Sequence, residues 1–387
     1  MPGHIEQISK GSWTIIVEAG RDPATNKRKR IKKAFHGRKE EAKKEMARLI
    51  AELEKGTYIE PSGLTLAQYI KSWMEDYGKL KLSPTTYRRY SKIVDLRLIP
   101  WLGSISLDKI RPYHVQKFYK RVIEEGRMDK KGGPLSAASI IYHHRVLRRI
   151  LEVAYKHGII PRNVADQVDI PIPNDDGKDD KDRVEFLTGS QVKVLEGSAK
   201  NTPYFGIVFV GVRTGLRRGE LLALQWKNID LQGGTLTVRR SLAYTPDTGT
   251  IFKGPKNKRS CRTIDISEEV IIYLRRHHKR QAERKLKQGE EYEDNDLVFC
   301  RTNGKPMHPD SVSSWFPVFL EKNKLPRLNF HCLRHTHASL LLALGEDIKL
   351  ISKRLGHSSV RITYDIYSHL LPEAQKEAVS KLDDLLK

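Results

Sequence analysis

Two tyrosines, Tyr364 and Tyr367, follow a Gly-His-Ser-Ser run within the segment LGHSSVRITYDIYSHL at residues 355–370. A tyrosine oxygen can attack a phosphate and form a covalent phosphodiester, so each is a candidate nucleophile. Because they are three positions apart on a predicted helix, they lie on neighbouring parts of one face. Gly356 is predicted to end the preceding helix, with His357 at the turn.

An arginine, Arg217, falls in the first turn of a helix predicted within RTGLRRGELLALQW at residues 213–226. Unpaired backbone N–H groups at a helix start favour an anion, and the donor fork of a guanidinium suits a phosphate. Glu220 lies on the same face and could hold Arg217 in one rotamer. The alternative is an ordinary surface Arg–Glu pair.

The segment HCLRHTHASLLLALG predicts a helix with a polar face and a core face. His331 and Arg334, three positions apart, could both point into one cleft, whereas His337 falls among the leucines and should be packed. Zinc bound by His331 and His335 is disfavoured, because the zinc-protease Glu is missing and no further Cys/His pair lies nearby.

A lysine-rich run, GPKNK, is predicted to form a tight connection between two strands of the segment at 235–266. A lysine at such a hairpin tip could reach into the cleft and protonate a departing oxygen. Lys256 is the candidate, and Lys253, Lys258 and Arg259 are its rivals. The alternative is a solvated loop, which is the usual state of lysine-rich segments.

Together these side chains could carry out phosphoryl transfer without a metal or other cofactor. Guanidiniums neutralise the charge that grows on the non-bridging oxygens, and a histidine can shuttle the proton of the nucleophile. The predicted catalytic set is Arg217, Lys256, His331, Arg334, His357 and Tyr367.

These residues belong to a predicted mixed α/β, mostly helical unit at 183–387, which a Pro-, Gly- and acid-rich linker at 171–182 precedes. At its end, an apolar stripe predicts a helix that begins near Pro372. This helix could cover its own unit or dock on a neighbouring protomer, and deleting residues 374–387 distinguishes the two.

The preceding unit, residues 64–170, is predicted to be an all-α bundle. Ser83 and Ser136 are expected to cap two of its helices, which end near Pro100 and at Gly158. The core stripe of the second helix is predicted at Leu147, Ile150, Leu151 and Ala154. Basic residues predicted on the surface, as DNA contacts, are Arg88, Arg89, His143, His144, Arg145, Arg148 and Arg149.

Residues 1–60 predict a small three-stranded sheet backed by one helix. Alternating Trp13, Ile15 and Val17 indicate a strand, and the helix should end at Gly56. The open face of a basic sheet can enter a major groove, although a solvated hairpin is the alternative. The predicted DNA contacts are Lys27, Arg28, Lys29, Arg30, Lys32 and Lys33.

The composition favours a polyanionic partner. The 387 residues carry a formal charge of +23, which raises the local concentration of nucleic acid. A basic and apolar helix suited to a membrane surface is missing from the sequence, as is a hydrophobic signal region. Three scattered cysteines favour a reducing, cytoplasmic compartment.

The motifs TGLRRGELLAL, HCLRHT, LGHSS and TYDIYSHL, in this order, resemble the signature boxes of the tyrosine recombinase (phage integrase) family. The three-unit layout is similar to integrases of conjugative transposons and temperate phages. The resemblance implies an arm-binding sheet domain, a SAM-like core-binding domain and a catalytic domain. It assigns the six predicted catalytic residues to the family's catalytic positions, with Tyr367 as nucleophile and Tyr364 as a packing residue.

By this resemblance, the reaction is site-specific recombination through a 3′-phosphotyrosine, without ATP or metal. The implied partners are double-stranded DNA at core-type and arm-type attachment sites, accessory excision or DNA-bending proteins, and three further copies in a synaptic tetramer. The free protein is expected to be a monomer. The alternatives are a DNA-binding regulator and a type IB topoisomerase-like enzyme on the same fold.

Overall fold

The computed structural model describes residues 3–21, 26, 28–55, 58, 63–128, 132–171, 185–254, 261–367, 383 and 386. The chain divides into two compact units, Met1–Asn174 and Asp175–Lys387. None of the described helices combines the length and the apolar character that a membrane span needs.

The N-terminal part of the first unit is an antiparallel sheet in the order β1-β2-β3, followed by a helix. Its elements are β1 (Gly3–Ser9), β2 (Ser12–Arg21), β3 (Arg28–His36) and α1 (Lys39–Glu54). The predicted alternation of β2 is confirmed, because Trp13, Ile15 and Val17 are buried, with Leu49 of α1 in the same small core. Gly56, the predicted end of the helix, lies outside the described residues.

The register of β3 separates its basic residues between the two faces of the sheet. Lys33 pairs with Ile15, and its ammonium donates a hydrogen bond of 2.6 Å to Glu45 of α1. Lys33 therefore belongs to the helix-covered face, and its predicted place on the open face is wrong. By strand alternation Lys29 lies on the same side as Lys33, whereas the open face carries Arg28, Arg30 and Lys32. Lys27 lies outside the described residues.

The rest of the first unit is helical, as predicted. Its helices are α2 (Leu66–Ser72), α3 (Lys79–Lys81), α4 (Pro84–Ile93), α5 (Ile99–Leu102), α6 (Pro112–Glu125) and α7 (Ala137–Lys156). The Ser83 and Ser136 hydroxyls cap α4 and α7, as predicted. The chain stays helical through a π-helical turn at Val94–Leu98 into α5, which ends at Leu102, so the predicted end near Pro100 is confirmed to within about two residues.

Helix α7 confirms the predicted core stripe but corrects one predicted DNA contact. Leu147, Ile150, Leu151 and Ala154 are fully buried. His143 is only 7% exposed, and its Nδ1–H donates to the Ser139 carbonyl at 2.6 Å. The prediction that His143 lies on the surface is therefore wrong. Its ring is on the buried side of α7, and its hydrogen-bond acceptor is a backbone carbonyl of the same helix. His144 is half-buried and hydrogen-bonded to the hydroxyl of Tyr119, whereas Arg88, Arg89, Arg145 and Arg148 are exposed.

The second unit mixes small sheets with helices and closes with helices, as predicted. Its strands are β4 (Ile229–Asp230), β5 (Thr235–Val238), β6 (Ser241–Thr245), β7 (Gly249–Lys253) and β8 (Arg262–Asp265). Its helices are α8 (Gly189–Ala199), α9 (Phe205–Thr214), α10 (Arg218–Leu222), α11 (Glu268–Gln288), α12 (Pro309–Lys322), α13 (Cys332–Ala343), α14 (Ile348–Leu355) and α15 (Val360–Tyr367). A large apolar core joins the elements from α8 to α13, and a smaller cluster of Ala338, Ile351, Leu355 and Tyr367 joins α13 to α14 and α15.

Candidate active site

The tight turn between α9 and α10 brings three helices together. Gly215 ends α9 with a φ of +64°, a conformation that strongly favours glycine. A Cβ at this position would lie 2.6 Å from the His337 ring and 2.7 Å from the Leu355 side chain. The glycine therefore allows the end of α9 to approach both α13 and α14. Arg217 follows the turn as the N-cap of α10, which is only five residues long.

The guanidinium of Arg334 joins the three helices from inside. It is 2% exposed, donates from Nη1 to the Gly215 carbonyl at 2.9 Å, and donates from Nη2 to the Leu355 carbonyl at 2.6 Å. Burial, together with the charge of Arg217, lowers the pKa of Arg334 to about 9. The group therefore remains charged at neutral pH, so this buried positive charge is available to an anion at the site.

Glu220 holds two arginines rather than the one that the sequence predicted. Its carboxylate accepts from the backbone N–H and from Nη1 of Arg217, both at 2.9 Å, as predicted. It also accepts from Arg262 of β8, from Nη1 at 3.2 Å and from Nη2 at 2.9 Å. Burial favours a raised pKa, but the bonds to Arg262 and Arg217 outweigh it and lower the pKa of Glu220.

Arg262 was missing from the predicted site. Its Nε donates to the Arg354 carbonyl at 2.8 Å, so it connects β8 and α10 to the end of α14. The signal was present in the sequence: in the strand RTID, the arginine occupies an inward position with Ile264. An inward arginine on a strand needs a buried carboxylate or carbonyls as partners.

The Glu220–Arg262 pair gives a stability prediction. We expect Glu220→Gln to lower the free energy of unfolding by about 3 kcal/mol, because it leaves the Arg262 charge buried without a counter-ion. Arg262→Met alone should also destabilise, and the double variant should lose less than the two single losses added together. Urea titration of the full chain measures all three.

The control for this prediction is Glu321→Gln, which breaks an ion pair with Arg327 between two exposed side chains. It should not change stability measurably, since exposed pairs are worth little. If the stability lost by the double variant equals the sum of the losses of Glu220→Gln and Arg262→Met, the two residues of the buried pair do not stabilise the fold jointly.

The histidines of α13 differ in their environment. His337 is packed, as predicted: its Nδ1–H donates to the Val212 carbonyl at 2.8 Å and its Nε2 accepts from Arg354 at 3.0 Å. His331 precedes α13 and meets the His335 ring edge-on, with 4.8 Å between ring centroids. Burial lowers the pKa of His331, and the charges of Arg334 and Arg217 add to this.

His357 follows Gly356, which ends α14 with a φ of +69°, as predicted. Its Nδ1 is 2.8 Å from the hydroxyl of buried Thr363 on α15. Burial, and then the charges of Arg334 and Arg217, lower the pKa of His357 to about 4. The ring is therefore neutral at pH 7. The charges of the same two arginines, Arg334 and Arg217, therefore act on both His331 and His357.

The two tyrosines of α15 differ sharply in burial. Tyr367 is 1% exposed and its hydroxyl lies 2.7 Å from Nδ1 of His335. Burial raises its pKa to about 12, although the charge of Arg334 opposes the shift. Tyr364 is 54% exposed, so the prediction that it packs is wrong. The buried stripe of α15 runs from Thr363 to Tyr367, one full turn, and leaves Tyr364 on the outside.

A basic cleft of about 640 Å³ opens beside this cluster, between β8 and the helices α14 and α15. Its charged lining includes the basic residues Arg262, Lys349, Lys353 and Arg354 and the acidic residue Asp265. Such a lining suits an extended polyanion better than a small apolar ligand. In the described part of the chain, no three His, Cys, Asp or Glu side chains are grouped as metal ligands.

Two predicted features cannot be placed. Lys256, with its rivals Lys258 and Arg259, lies outside the described residues, as does the C-terminal helix apart from Asp383 and Leu386. The flanking strands are described, and they differ from the predicted hairpin. The strand β7 pairs with β6, whereas β8 pairs with β5, so the GPKNK run connects two different sheets.

Comparison with known families gives two matches along this chain. The phage integrase family matches residues 185–374, which contain the whole cluster described above. The phage integrase N-terminal SAM-like domain matches residues 65–123 of the helical bundle.

Two relatives align over nearly the whole chain. A tyrosine recombinase XerC-like protein of Caldanaerobacter subterraneus is 27% identical, with 97% of each chain covered. The ICEBs1 integrase of Bacillus subtilis is 26% identical, with 99% of this chain and 100% of the relative covered.

Solved structures share the fold. The Tn1549 transposon integrase bound to transposon right-end DNA superposes with a TM-score of 0.66 at 22% identity, over 83% of this chain and all of that one. A lambda integrase dimer bound to a core site superposes with a TM-score of 0.54 at 19% identity, over 95% of each chain.

Proposed function

We propose that this chain, which belongs to the phage integrase family of tyrosine recombinases, cuts and rejoins DNA through Tyr367. As a site-specific integrase of a mobile element it needs a nucleophile whose bond to DNA conserves the phosphodiester energy. The observation that carries the assignment to Tyr367 is its place in the fold. Its hydroxyl is buried beside Arg334, whereas the hydroxyl-bearing ring of Tyr364 faces outward.

The arginines and histidines have distinct functions in this proposal. Arg334 and Arg217 neutralise the charge that develops on the non-bridging oxygens of the scissile phosphate. Glu220 fixes Arg217 through two hydrogen bonds and therefore acts as a positioning residue. His331 and His357 are neutral donors and acceptors at the same phosphate, since burial and the arginines keep their pKa values low.

The reaction proceeds by two transesterifications. Tyr367 attacks the phosphate, the P–O5′ bond breaks, and a 3′-phosphotyrosine and a free 5′-hydroxyl result. The 5′-hydroxyl of the partner duplex then attacks the phosphotyrosine and releases the enzyme. Lys256 is our candidate for the acid that protonates the leaving 5′-oxygen. The bond energy is retained throughout, so the chemistry requires neither ATP nor a metal.

A trapping assay tests the proposed function. The full chain is incubated with attachment-site DNA that carries a nick beside the scissile phosphate, so that cleavage releases a short fragment and cannot reverse. A covalent protein–DNA adduct that survives SDS supports the proposal. A DNA-binding regulator would form no adduct, and a type IB topoisomerase-like enzyme would relax supercoiled DNA as a monomer without joining two sites.

The assembly on DNA follows from the same proposal. Lambda integrase, at 19% identity and a TM-score of 0.54, has been solved as a tetramer bound to a Holliday junction. We propose that this chain also assembles as four copies across two core-type sites, and that free protein is monomeric. The N-terminal sheet would bind separate arm-type sites, and accessory bending or excision proteins would set the direction.

The two faces of the N-terminal sheet provide a test of arm binding with a matched control. Arg30→Ala combined with Lys32→Ala removes two positive charges from the open face. We expect arm-type DNA to bind about tenfold more weakly, and the slope of log affinity against log salt concentration to fall in magnitude by about two. Lys33→Ala removes one positive charge from the helix-covered face, where Lys33 is bound to Glu45, and should have little effect. Equal losses in both variants would contradict the assignment of the open face. Gel-shift titrations at several salt concentrations measure this.

A further inference from the structure

The hydroxyl of Tyr367 has a specific partner that the predicted catalytic set omits. His335 follows Arg334 on α13, and its Nδ1 lies 2.7 Å from the Tyr367 oxygen, a short distance for a hydrogen bond between a hydroxyl and an imidazole nitrogen. The two ring centroids are 5.8 Å apart. The contact joins α13 to α15 at the reacting atom itself.

The direction of this hydrogen bond follows from the two protonation states. Burial, and then the neighbouring His331 and Arg334, lower the pKa of His335 to about 4, so the ring is neutral at pH 7. Burial raises the pKa of Tyr367 to about 12, so its hydroxyl carries its proton. A neutral phenol beside a neutral imidazole donates to the unprotonated nitrogen. Nδ1 therefore accepts the O–H bond, and Nε2 carries the ring proton.

The other two histidines of the cluster have different contacts. Nδ1 of His357 is hydrogen-bonded to the hydroxyl of Thr363, and the ring of His331 lies edge-on against His335. Among the described hydrogen bonds, the Tyr367 hydroxyl is in contact with His335 and with neither of these. A base must lie within hydrogen-bond reach of the proton that it removes, and His335 meets this requirement.

We propose that His335 is the general base of strand cleavage, a role that rests on the proposed function of Tyr367 as nucleophile. As the Tyr367 oxygen forms its bond to phosphorus, its O–H bond breaks and the proton passes to Nδ1 of His335. The P–O5′ bond breaks, and the 5′-oxygen takes a proton from the acid. In rejoining, the imidazolium of His335 returns its proton to the departing phenolate oxygen.

The surrounding charges explain why the transfer waits for DNA. Without substrate, the positive charges near His335 disfavour its protonation. A bound phosphate brings negative charge to Arg334 and Arg217 and so reduces this repulsion. Tyr367 is then deprotonated only while it attacks a phosphate.

Side-chain replacements at residue 335 distinguish a residue that accepts the Tyr367 proton from one that only packs against the tyrosine or accepts its hydrogen bond. In His335→Asn, the amide oxygen can occupy the position of Nδ1 and accept the hydrogen bond, but it cannot take a proton. His335→Gln offers a longer acceptor, and His335→Phe keeps the ring volume without an acceptor. We expect all three to lower the rate of adduct formation on the nicked substrate by about 10²-fold or more, with DNA affinity unchanged.

Fluorinated tyrosine at position 367 provides the decisive readout. Fluorine lowers the phenol pKa and reduces the need for a base, so it should restore a large part of the cleavage rate in His335→Asn and change the wild-type rate far less. A purely structural role would not respond to the pKa of the phenol. If His335→Asn or His335→Gln cleaves at the wild-type rate, or if fluorination rescues none of the variants, His335 is not the base.

These outcomes are distinct from a failure of the proposed function. If wild-type protein forms no SDS-stable adduct, or if Tyr367→Phe still forms one, the nucleophile is wrong and the role of His335 falls with it. If wild-type protein forms the adduct through Tyr367 while His335→Asn is unimpaired, the function stands and the inference alone is overturned.

Discussion

Tyr367→Phe is expected to abolish the covalent protein–DNA adduct while it leaves the fold and DNA binding intact. The substitution removes one oxygen from a ring that is 1% exposed, so the packing of α15 against α13 is retained. The loss of the hydroxyl leaves Nδ1 of His335 without its hydrogen-bond donor, which lowers the free energy of unfolding by no more than about 3 kcal/mol. No other described side chain replaces the nucleophile at this position, so we expect complete loss of cleavage.

The control for this result is Tyr364→Phe on the same helix. The Tyr364 ring is 54% exposed and its oxygen is not part of the cluster, so the adduct should form at the wild-type rate. Both variants are compared on the nicked substrate by SDS gel electrophoresis, with DNA binding measured in parallel. An adduct from Tyr367→Phe, or its loss in Tyr364→Phe, would reverse the assignment of the nucleophile.

Local features of this fold could be predicted from the sequence because they depend on neighbouring residues. The serine caps at Ser83 and Ser136 follow from hydroxyls beside the first helical turn, and the buried stripe of α7 follows from helical periodicity. The same reasoning gave the packed state of His337 and the glycine stop at Gly356. In each case the signal that predicts the feature, whether a cap residue, a helical period or a glycine, lies within a few positions along the chain.

Pairs that form between distant segments could not be predicted in the same way. Arg262 and Glu220 are 42 positions apart, and His335 and Tyr367 are 32 apart. Their spacing in sequence contains no periodicity that indicates contact. They meet because β8 lies against α10 and α15 lies against α13, which is a property of the assembled unit.

The wrong predictions have a related cause, namely that residue type does not determine the face. Lys33 was placed with the DNA contacts because it is basic, yet the register with Ile15 turns it toward Glu45. His143 was placed on the surface because its neighbours are basic, yet it falls on the buried side of α7. Tyr364 was assigned as a packing residue through the family resemblance, yet of the two tyrosines only Tyr367 belongs to the buried stripe of α15.

Arg334→Ala should have the largest effect on stability and on activity together. The guanidinium donates to the carbonyls of Gly215 and Leu355 in a site that excludes water, and alanine leaves both acceptors unpaired and a cavity around them. A loss of about 3–5 kcal/mol is expected. Because the same group faces the transferred phosphate in our proposal, any folded fraction should cleave about 10²–10³-fold more slowly.

Arg334→Lys separates the structural from the chemical contribution. Lysine keeps the positive charge near the phosphate, but its single ammonium cannot span two carbonyls that the guanidinium fork reaches from opposite nitrogens. We therefore expect partial stability, with cleavage still reduced because the charge is no longer held in one place. The matched control is Arg361→Lys on α15, whose side chain is 86% exposed and pairs only with Asp365 in the described residues. Thermal unfolding and adduct formation are measured on all variants. If Arg334→Lys cleaves DNA at the wild-type rate, a positive charge at this position is sufficient for catalysis without the two-nitrogen geometry of the guanidinium.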